Sequence, residues 1–166
     1  CRGQDAASKA HHCANTNVVG NAAGHMSKSN KDIVREFIQA TNNRDWDKFE
    51  NLVSVDFTRH SSSDSVTIDS REKLKQFHQR ELLTFPDIKE TILLLIQEGD
   101  YVAARLNFQG TQSGDMGPFP ATGKKLNADF NCIFKLTDGK ISESWVEYDN
   151  LNGLIQLGHY KLPDAE

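Results

Sequence analysis

The sequence predicts an α+β fold, in which N-terminal helices packed on one concave face of a curved antiparallel sheet would enclose a cone-shaped cavity. Three observations carry this prediction. Between Asn30 and Phe85 the apolar residues recur mainly at helical spacing, and from Ile88 to Tyr148 they alternate as in strands. Helices come first and strands after them, which is the order of an α+β chain and not of repeating βαβ units. Third, Asp and Gly pairs stand where hairpins are needed, at Gly99-Asp100 and Asp138-Gly139.

In chain order, Asn30 can cap a helix whose apolar stripe is Ile33, Val34, Phe37, Ile38 and Thr41. Asn42-Asn43-Arg44 breaks it. Asp45 can cap a second, shorter helix carrying Trp46, Phe49, Leu52 and Val53. A short strand is expected over 56–60, then a Ser-rich loop. Asp69-Ser70-Arg71-Glu72 reads as a capping box that opens a third helix, with Leu74, Phe77 and Leu82 facing inward, and Pro86 stops it at Phe85. Strands are expected over 88–97 and 101–109, and a Gly- and Pro-rich loop over 110–123. A long strand then buries Phe130, Cys132 and Phe134 on one face, and a last strand runs from Lys140 to Tyr148. A helix over 150–157 ends at Gly158.

The first residues are unlike the rest. From Cys1 to His25 only Val18 and Val19 are sizeable apolar residues, too few to offset the entropy of ordering. The expected organisation is a flexible leader, tag or tail over 1–28, one domain over 29–160 and a C-terminal tail over 161–166. Three origins compete for the leader: a cloning junction at Gly24-His25-Met26, a processed lipoprotein terminus at Cys1, or a genuine extension.

Composition narrows the function classes. Of 166 residues, 37% are hydrophobic and 25% charged, which excludes a wholly disordered, collagenous or coiled-coil chain. The longest apolar run, Ile92 to Ile96, is far short of a membrane span. A formal charge of −4 argues against a nucleic-acid binder, and no membrane partner is expected unless Cys1 carries a lipid. The chain is accordingly expected in the cytoplasm, or exported if Cys1 is a processed terminus. Its three cysteines show no CxxC spacing, so neither a zinc set nor a disulfide framework is indicated.

Five fragments then occur in order: Phe85-Pro86-Asp87-Ile88; Glu98 through Arg105; Gly110-Thr111-Gln112-Ser113-Gly114 leading to Pro120-Ala121-Thr122-Gly123-Lys124; Asp138-Gly139-Lys140-Ile141 leading through Trp145 to Asp149; and Gln156-Leu157-Gly158. Together they resemble the SnoaL-like polyketide (ester) cyclase family of the nuclear transport factor 2-like superfamily, over roughly residues 30–158. The resemblance implies a cofactor-free protein, with no metal, whose conical pocket holds a hydrophobic carbonyl compound. It also implies pairing through the sheet, a homodimer, for which exposed Trp145 and Ile133 would be suited. In the cyclases one carboxylate is the acid/base. By spacing that Asp falls on Val146, a pocket His on Cys132 and a Gln on Phe130, so three polar positions are apolar or nearly so here.

The remaining candidates follow from side-chain chemistry. His60, at a strand end where relatives place a cavity His, is the leading base, against a His simply bonded to a loop carbonyl. Tyr148 is the leading carbonyl donor, against packing with a wet tip. Phe37, Trp46, Phe77, His78, Phe119, Phe130, Cys132, Phe134, Ser144 and Val146 are expected to form the pocket, with Met116, Pro118 and Phe119 as its lip. Cys132, a thiol in apolar company, is expected to be inert packing. Arg105, Asn107, Asp129 and Asn131 are expected to pair as a polar cluster on the sheet, and Asp149 to cap the terminal helix. Two readings result: cofactor-free isomerase or cyclase chemistry, or a ligand-binding or dimerising module without chemistry.

Overall fold

The structure is a computed structural model that describes residues 28–63 and 66–163. The leader expected over 1–28, except Lys28, lies outside the described residues, as does the end of the C-terminal tail. The elements run α1 (Asn30–Asn43), α2 (Trp46–Leu52), β1 (Val53–His60), α3 (Arg71–Thr84), β2 (Lys89–Glu98), β3 (Tyr101–Thr111), β4 (Lys125–Thr137), β5 (Lys140–Tyr148) and α4 (Asn150–Leu157).

Local chemistry explains the boundaries. Ser29, not Asn30, caps α1, its hydroxyl accepting from the Asp32 N–H. Ile33, Val34, Phe37, Ile38 and Ala40 form its buried stripe, and Arg44 ends it in the left-handed region at φ 59°. Asp45 caps α2, Ser70 caps α3 and Asp149 caps α4, each accepting a backbone N–H in the first turn. Pro86 follows the end of α3 as expected. Strand β1 starts three residues before the expected Asp56, because α2 runs directly into it at Val53.

The five strands form one sheet in the order β1-β5-β4-β3-β2. Strands β2 to β5 are antiparallel, but β1 joins β5 in parallel, so the sheet is mixed and not wholly antiparallel. The physical reason is connection length. Strand β1 reaches its partner only after α3 and three other strands, so no hairpin dictates its direction.

One face of the sheet carries the core with α1 and α2. Phe49, Val34, Val53, Val102 and Ile141 have no exposed surface. Phe37 packs at 5.6 Å from Phe49 and 5.8 Å from Phe134, centroid to centroid. Ile141 belongs to this inner face, although strict alternation from Trp145 would put it outside. The β4–β5 register shifts between Lys135 and Leu136, which carries one residue across the pleat.

The loop after β3 is built around Gln112, which is fully buried. Its amide donates to the Phe119 and Pro120 carbonyls, and its Oε1 accepts from Thr122 at 2.9 Å and contacts His159 Nε2 at 2.9 Å. The loop also fastens the end of α3: the Ser113 and Gly114 N–H groups donate to the Thr84 carbonyl. A Cβ on Gly114 would lie 2.2 Å from the Leu83 carbonyl oxygen, so only glycine allows this approach. Phe119 packs on the His159 ring at 5.0 Å. The expected lip over the cavity is therefore not there; the loop is spent on holding α3 and α4 together.

Candidate functional site

A small chamber lies between α1, α3 and the inner face of the sheet. Strand β4 contributes Phe130, Cys132 and Phe134 to its wall, β5 contributes Ser144 and Val146, and the helices contribute Phe37 and Leu74. Into this apolar lining project three charged or titratable side chains: Arg59 from β1, His78 from α3 and Glu90 from β2. The free volume is about 30 Å³, room for a water molecule or two and not for a ring system. A second space of about 20 Å³ lies outside it, lined by Thr41, Asn42 and Trp46 with Glu81, Leu82 and Ile88 of the α3 and β2 side. His78 and Glu90 line both spaces and form the partition between them.

Glu90 occupies the inward phase of β2, between Ile88 and Ile92 and opposite Phe108. Its backbone is clamped by Asn42 at the end of α1: the Glu90 N–H donates to Oδ1 and its carbonyl accepts from Nδ2, each at 2.8 Å. Loss of hydration pushes its carboxyl pKa up to about 7, and Glu81 adds to the rise, while His78 and Arg59 oppose it. Such a carboxyl can take and return a proton at neutral pH.

His78 is held from both sides. Its ring meets those of Phe37, Phe49 and Phe77 edge-on at 5.5 to 6.1 Å. Its Nδ1 lies 3.1 Å from Glu81 Oε2. An ionised carboxylate only accepts, so this contact assigns the proton of a neutral ring to Nδ1 and leaves the lone pair on Nε2. Nε2 is buried and has no hydrogen-bond partner among the described residues.

Arg59 donates from Nη2 to the Tyr148 hydroxyl at 2.7 Å, and its guanidinium lies 4.5 Å from the Phe77 ring centroid. Tyr148, in turn, meets Phe130 edge-on at 6.3 Å. Its hydroxyl thus stands beside the chamber with an Arg already on it.

The expected residues sort as follows. Phe37, His78, Phe130, Cys132, Phe134, Ser144 and Val146 line the chamber. Trp46 lines only the outer space, and Phe77 serves as the platform under Arg59. Phe119 is elsewhere, against His159. His60 does not face the chamber: it stacks on Trp145 at 5.0 Å on the opposite face of the sheet, with Nε2 3.3 Å from Glu143 Oε2. The register decides this. Arg59 lies opposite Ser144, which is buried, and His60 opposite Trp145, so the inward position falls one residue earlier than expected.

Burial pushes the Cys132 thiol far above its ordinary range, which removes the nucleophilic thiolate. The outer polar cluster is formed as expected: Arg105 reaches Asp129 at 3.0 Å, and Asn107 donates to Asn127 and Asp129 at 2.8 Å. Sequence reasoning missed Arg59, Glu81 and Glu90. The one visible signal was the Ile88-x-Glu90-x-Ile92 alternation, which places a lone acid on the apolar phase of a strand.

Among the described residues no group of His, Cys, Asp and Glu is arranged to hold a metal ion, and no helix is long and apolar enough to cross a membrane. The helices folded over the inner face of this sheet, with a chamber between them, define an α+β cone of the nuclear transport factor 2-like kind. The model of the SnoaL-like polyketide cyclase family matches residues 31–157, and the chain belongs to that family. Among solved structures it is similar to IdmH from Streptomyces antibioticus, a candidate polyketide cyclase, at 28% identity and TM-score 0.70 over 79% of this chain and 99% of that one. A SnoaL-like candidate polyketide cyclase from a Jannaschia species gives 19% identity and TM-score 0.72, covering 80% and 93%. A Catenulispora acidiphila protein with a ketosteroid isomerase-like fold, in complex with trimethylamine, gives 16% identity and TM-score 0.67, covering 79% and 98%. No curated protein matches the sequence.

Proposed function

We propose that this protein binds a hydrophobic carbonyl compound in the chamber and moves a proton on it, with Glu90 as the acid/base group. The supporting observation is the placement of one carboxyl on an otherwise apolar strand phase, facing His78 and Arg59 inside an apolar wall. A proton taken from the carbon beside a carbonyl leaves an enolate, and Arg59 or the Tyr148 hydroxyl it holds is the group suited to stabilise that oxygen. The reading needs no cofactor. A ring-sized ligand requires α3 to move outward, because the free volume is only about 30 Å³. Along α3 only Leu74 and Thr84 are buried, and the loop after β3 holds its C-terminal end, so the movement is a swing about that end.

The test is a screen of wild type and Glu90→Gln against aromatic and polycyclic ketones and esters, by thermal shift and by turnover. The reading expects both proteins to be stabilised by the same compounds. Turnover should fall by about 10² to 10⁴-fold in the variant. Equal turnover in both proteins sinks Glu90 as the base, and stabilisation with no turnover in either leaves a binding protein.

A second reading, association of two copies through the outer face of the sheet, is favoured by one observation. Ile96, Ala103, Ile133 and Trp145 stand in a single cross-strand row over four strands, with Ile96 58% and Ile133 44% exposed. Light scattering after size exclusion tests it: a dimer that Ile133→Asp dissociates supports the row as the interface, and a monomer at all concentrations removes it.

A further inference from the structure

The reading of Glu90 as the acid/base group leaves open how a carboxyl inside an apolar wall exchanges its proton with water. The partition between the two spaces answers this. His78 and Glu90 alone line both the chamber and the outer space, and Glu81 lines only the outer one. Glu81 also keeps more of its surface in solvent than His78 does, with side-chain exposures of 28% and 13%. Exposure therefore falls from Glu81 to His78, and His78 adjoins Glu90 in the partition.

We propose that Glu81, His78 and Glu90 form a proton relay connecting the chamber to solvent through the space beside α3. His78 is the transferring group and Glu81 its positioning partner. This inference rests on the proposed role of Glu90.

The relay follows from the orientation of the imidazole. Glu81 accepts the Nδ1 hydrogen, so Nε2 keeps its lone pair, and it is buried with no hydrogen-bond partner among the described residues. A protonated Glu90 gives its proton to Nε2, which leaves a carboxylate and an imidazolium. Glu81 then takes the Nδ1 proton and releases it to water in the outer space; the reverse order reloads Glu90. Nε2 has almost no water-accessible surface and no direct partner among the described residues, so its exchange with Glu90 takes place when α3 moves outward and water enters the chamber. A purely structural histidine in this position would be expected to satisfy both ring nitrogens, since buried polar atoms almost always find partners.

The groups facing Glu90 are few. Helix α3 supplies His78 and Glu81, β1 supplies Arg59, and β4 supplies Cys132, which stays a neutral thiol. Helix α1 supplies only the Asn42 amide, which is occupied by the Glu90 backbone.

The test is nuclear magnetic resonance of the full chain labelled with ¹³C at the glutamate carboxyls and ¹⁵N in the imidazoles. It needs no substrate. In the neutral form His78 is expected as the Nδ1–H tautomer. Glu90 is expected to titrate as one averaged, fast-exchanging signal. In His78→Phe the Glu90 midpoint should move up, because a group that favours the carboxylate is lost. In the same variant its signal should split into separate protonated and ionised lines, because the route to solvent is lost. Glu81→Gln should move the midpoint down by removing a neighbouring negative charge. His78→Gln, which keeps a polar side chain but cannot carry the proton, should show the same splitting and serves if the Phe variant does not fold. If both variants fail to fold, the tautomer in the wild type decides.

An Nε2–H tautomer, or fast exchange that persists without His78, overturns the relay while the role of Glu90 stands. A Glu90 that titrates in the ordinary carboxylate range overturns that role itself, so the two failures are distinguishable.

Discussion

Cys132 and Val146 face each other directly across the β4–β5 pair, and both side chains are buried in the chamber wall. These are two positions where the family resemblance leads one to expect a pocket His and the acid/base Asp. The wall that would carry cyclase polarity is apolar here, and the titratable carboxyl stands instead on β2, at Glu90.

Restoring the acid at its expected place should therefore be costly. Val146 is 2% exposed, and Val146→Asp would bury a carboxyl beside Phe130 and Phe134, with Arg59 in the same lining already engaged by Tyr148. A loss of about 2–4 kcal/mol at pH 8 is expected, from the dehydration of a charged group that Arg59 offsets only in part. Protonation relieves part of it, so the deficit against wild type should shrink as pH falls toward about 4. Urea denaturation at both pH values checks this, and a pH-independent deficit would show that the new side chain reaches water.

His60→Ala is expected to leave the chamber unchanged. His60 sits on the outer face, and its ion-pair partner Glu143 keeps Lys135 at 2.9 Å. Exposed pairs of this type contribute at most about 1 kcal/mol. The variant should show wild-type ligand-induced thermal shifts and a stability change within that bound. A lost ligand response in His60→Ala with the fold intact would place the functional face on the outside of the sheet.

How far the sequence could be read depended on which signals are local. Caps and breakers are local, so Asp45, Ser70, Pro86, Asp149 and Gly158 marked their helix ends and the structure has them there. Alternation is local as well, and it put Phe130, Cys132 and Phe134 on one face of β4. The direction of β1 and the phase of its last residues are not local. They depend on pairing with β5 some eighty residues away and on a register shift between Val53 and Thr58. Only the family resemblance leads one to expect His60 in the cavity, and a difference of one residue in phase puts Arg59 there instead. Glu90 was legible in principle, as an acid in the apolar phase of β2. Its partners His78 and Glu81 come from a helix whose placement over the sheet only the fold reveals.

The Cys132 thiol should be silent to alkylation in the native protein. Burial raises its pKa, and its side chain lies between the wall aromatics at 3% residue exposure. Modification mapped by mass spectrometry at pH 8 should be absent at Cys132 under native conditions and complete in denaturant. Rapid native labelling would require frequent opening of the chamber and would turn the same assay into a measure of α3 movement.

The pH dependence of stability provides a check on Glu90 that is independent of any ligand. Its carboxyl pKa is about 7 in the folded protein, against an ordinary value of 4.5. A raised acid binds its proton more tightly when folded, so its contribution to stability is most favourable at low pH and is lost as pH rises from about 4.5 through about 7. The shift corresponds to a penalty of roughly 3 kcal/mol at pH 8. Glu143 and Asp87 pull the other way, since their partners lower their pKa values, but those groups titrate in the acid range and are common to both proteins being compared. Glu90→Gln keeps the shape of the side chain and cannot ionise. Measured by urea denaturation, it should match the wild type near pH 4.5 and exceed its stability by up to roughly 3 kcal/mol at pH 8. A difference that stays flat between those pH values would mean that Glu90 is hydrated as an ordinary surface carboxylate, and the chamber would then have no acid/base group on β2.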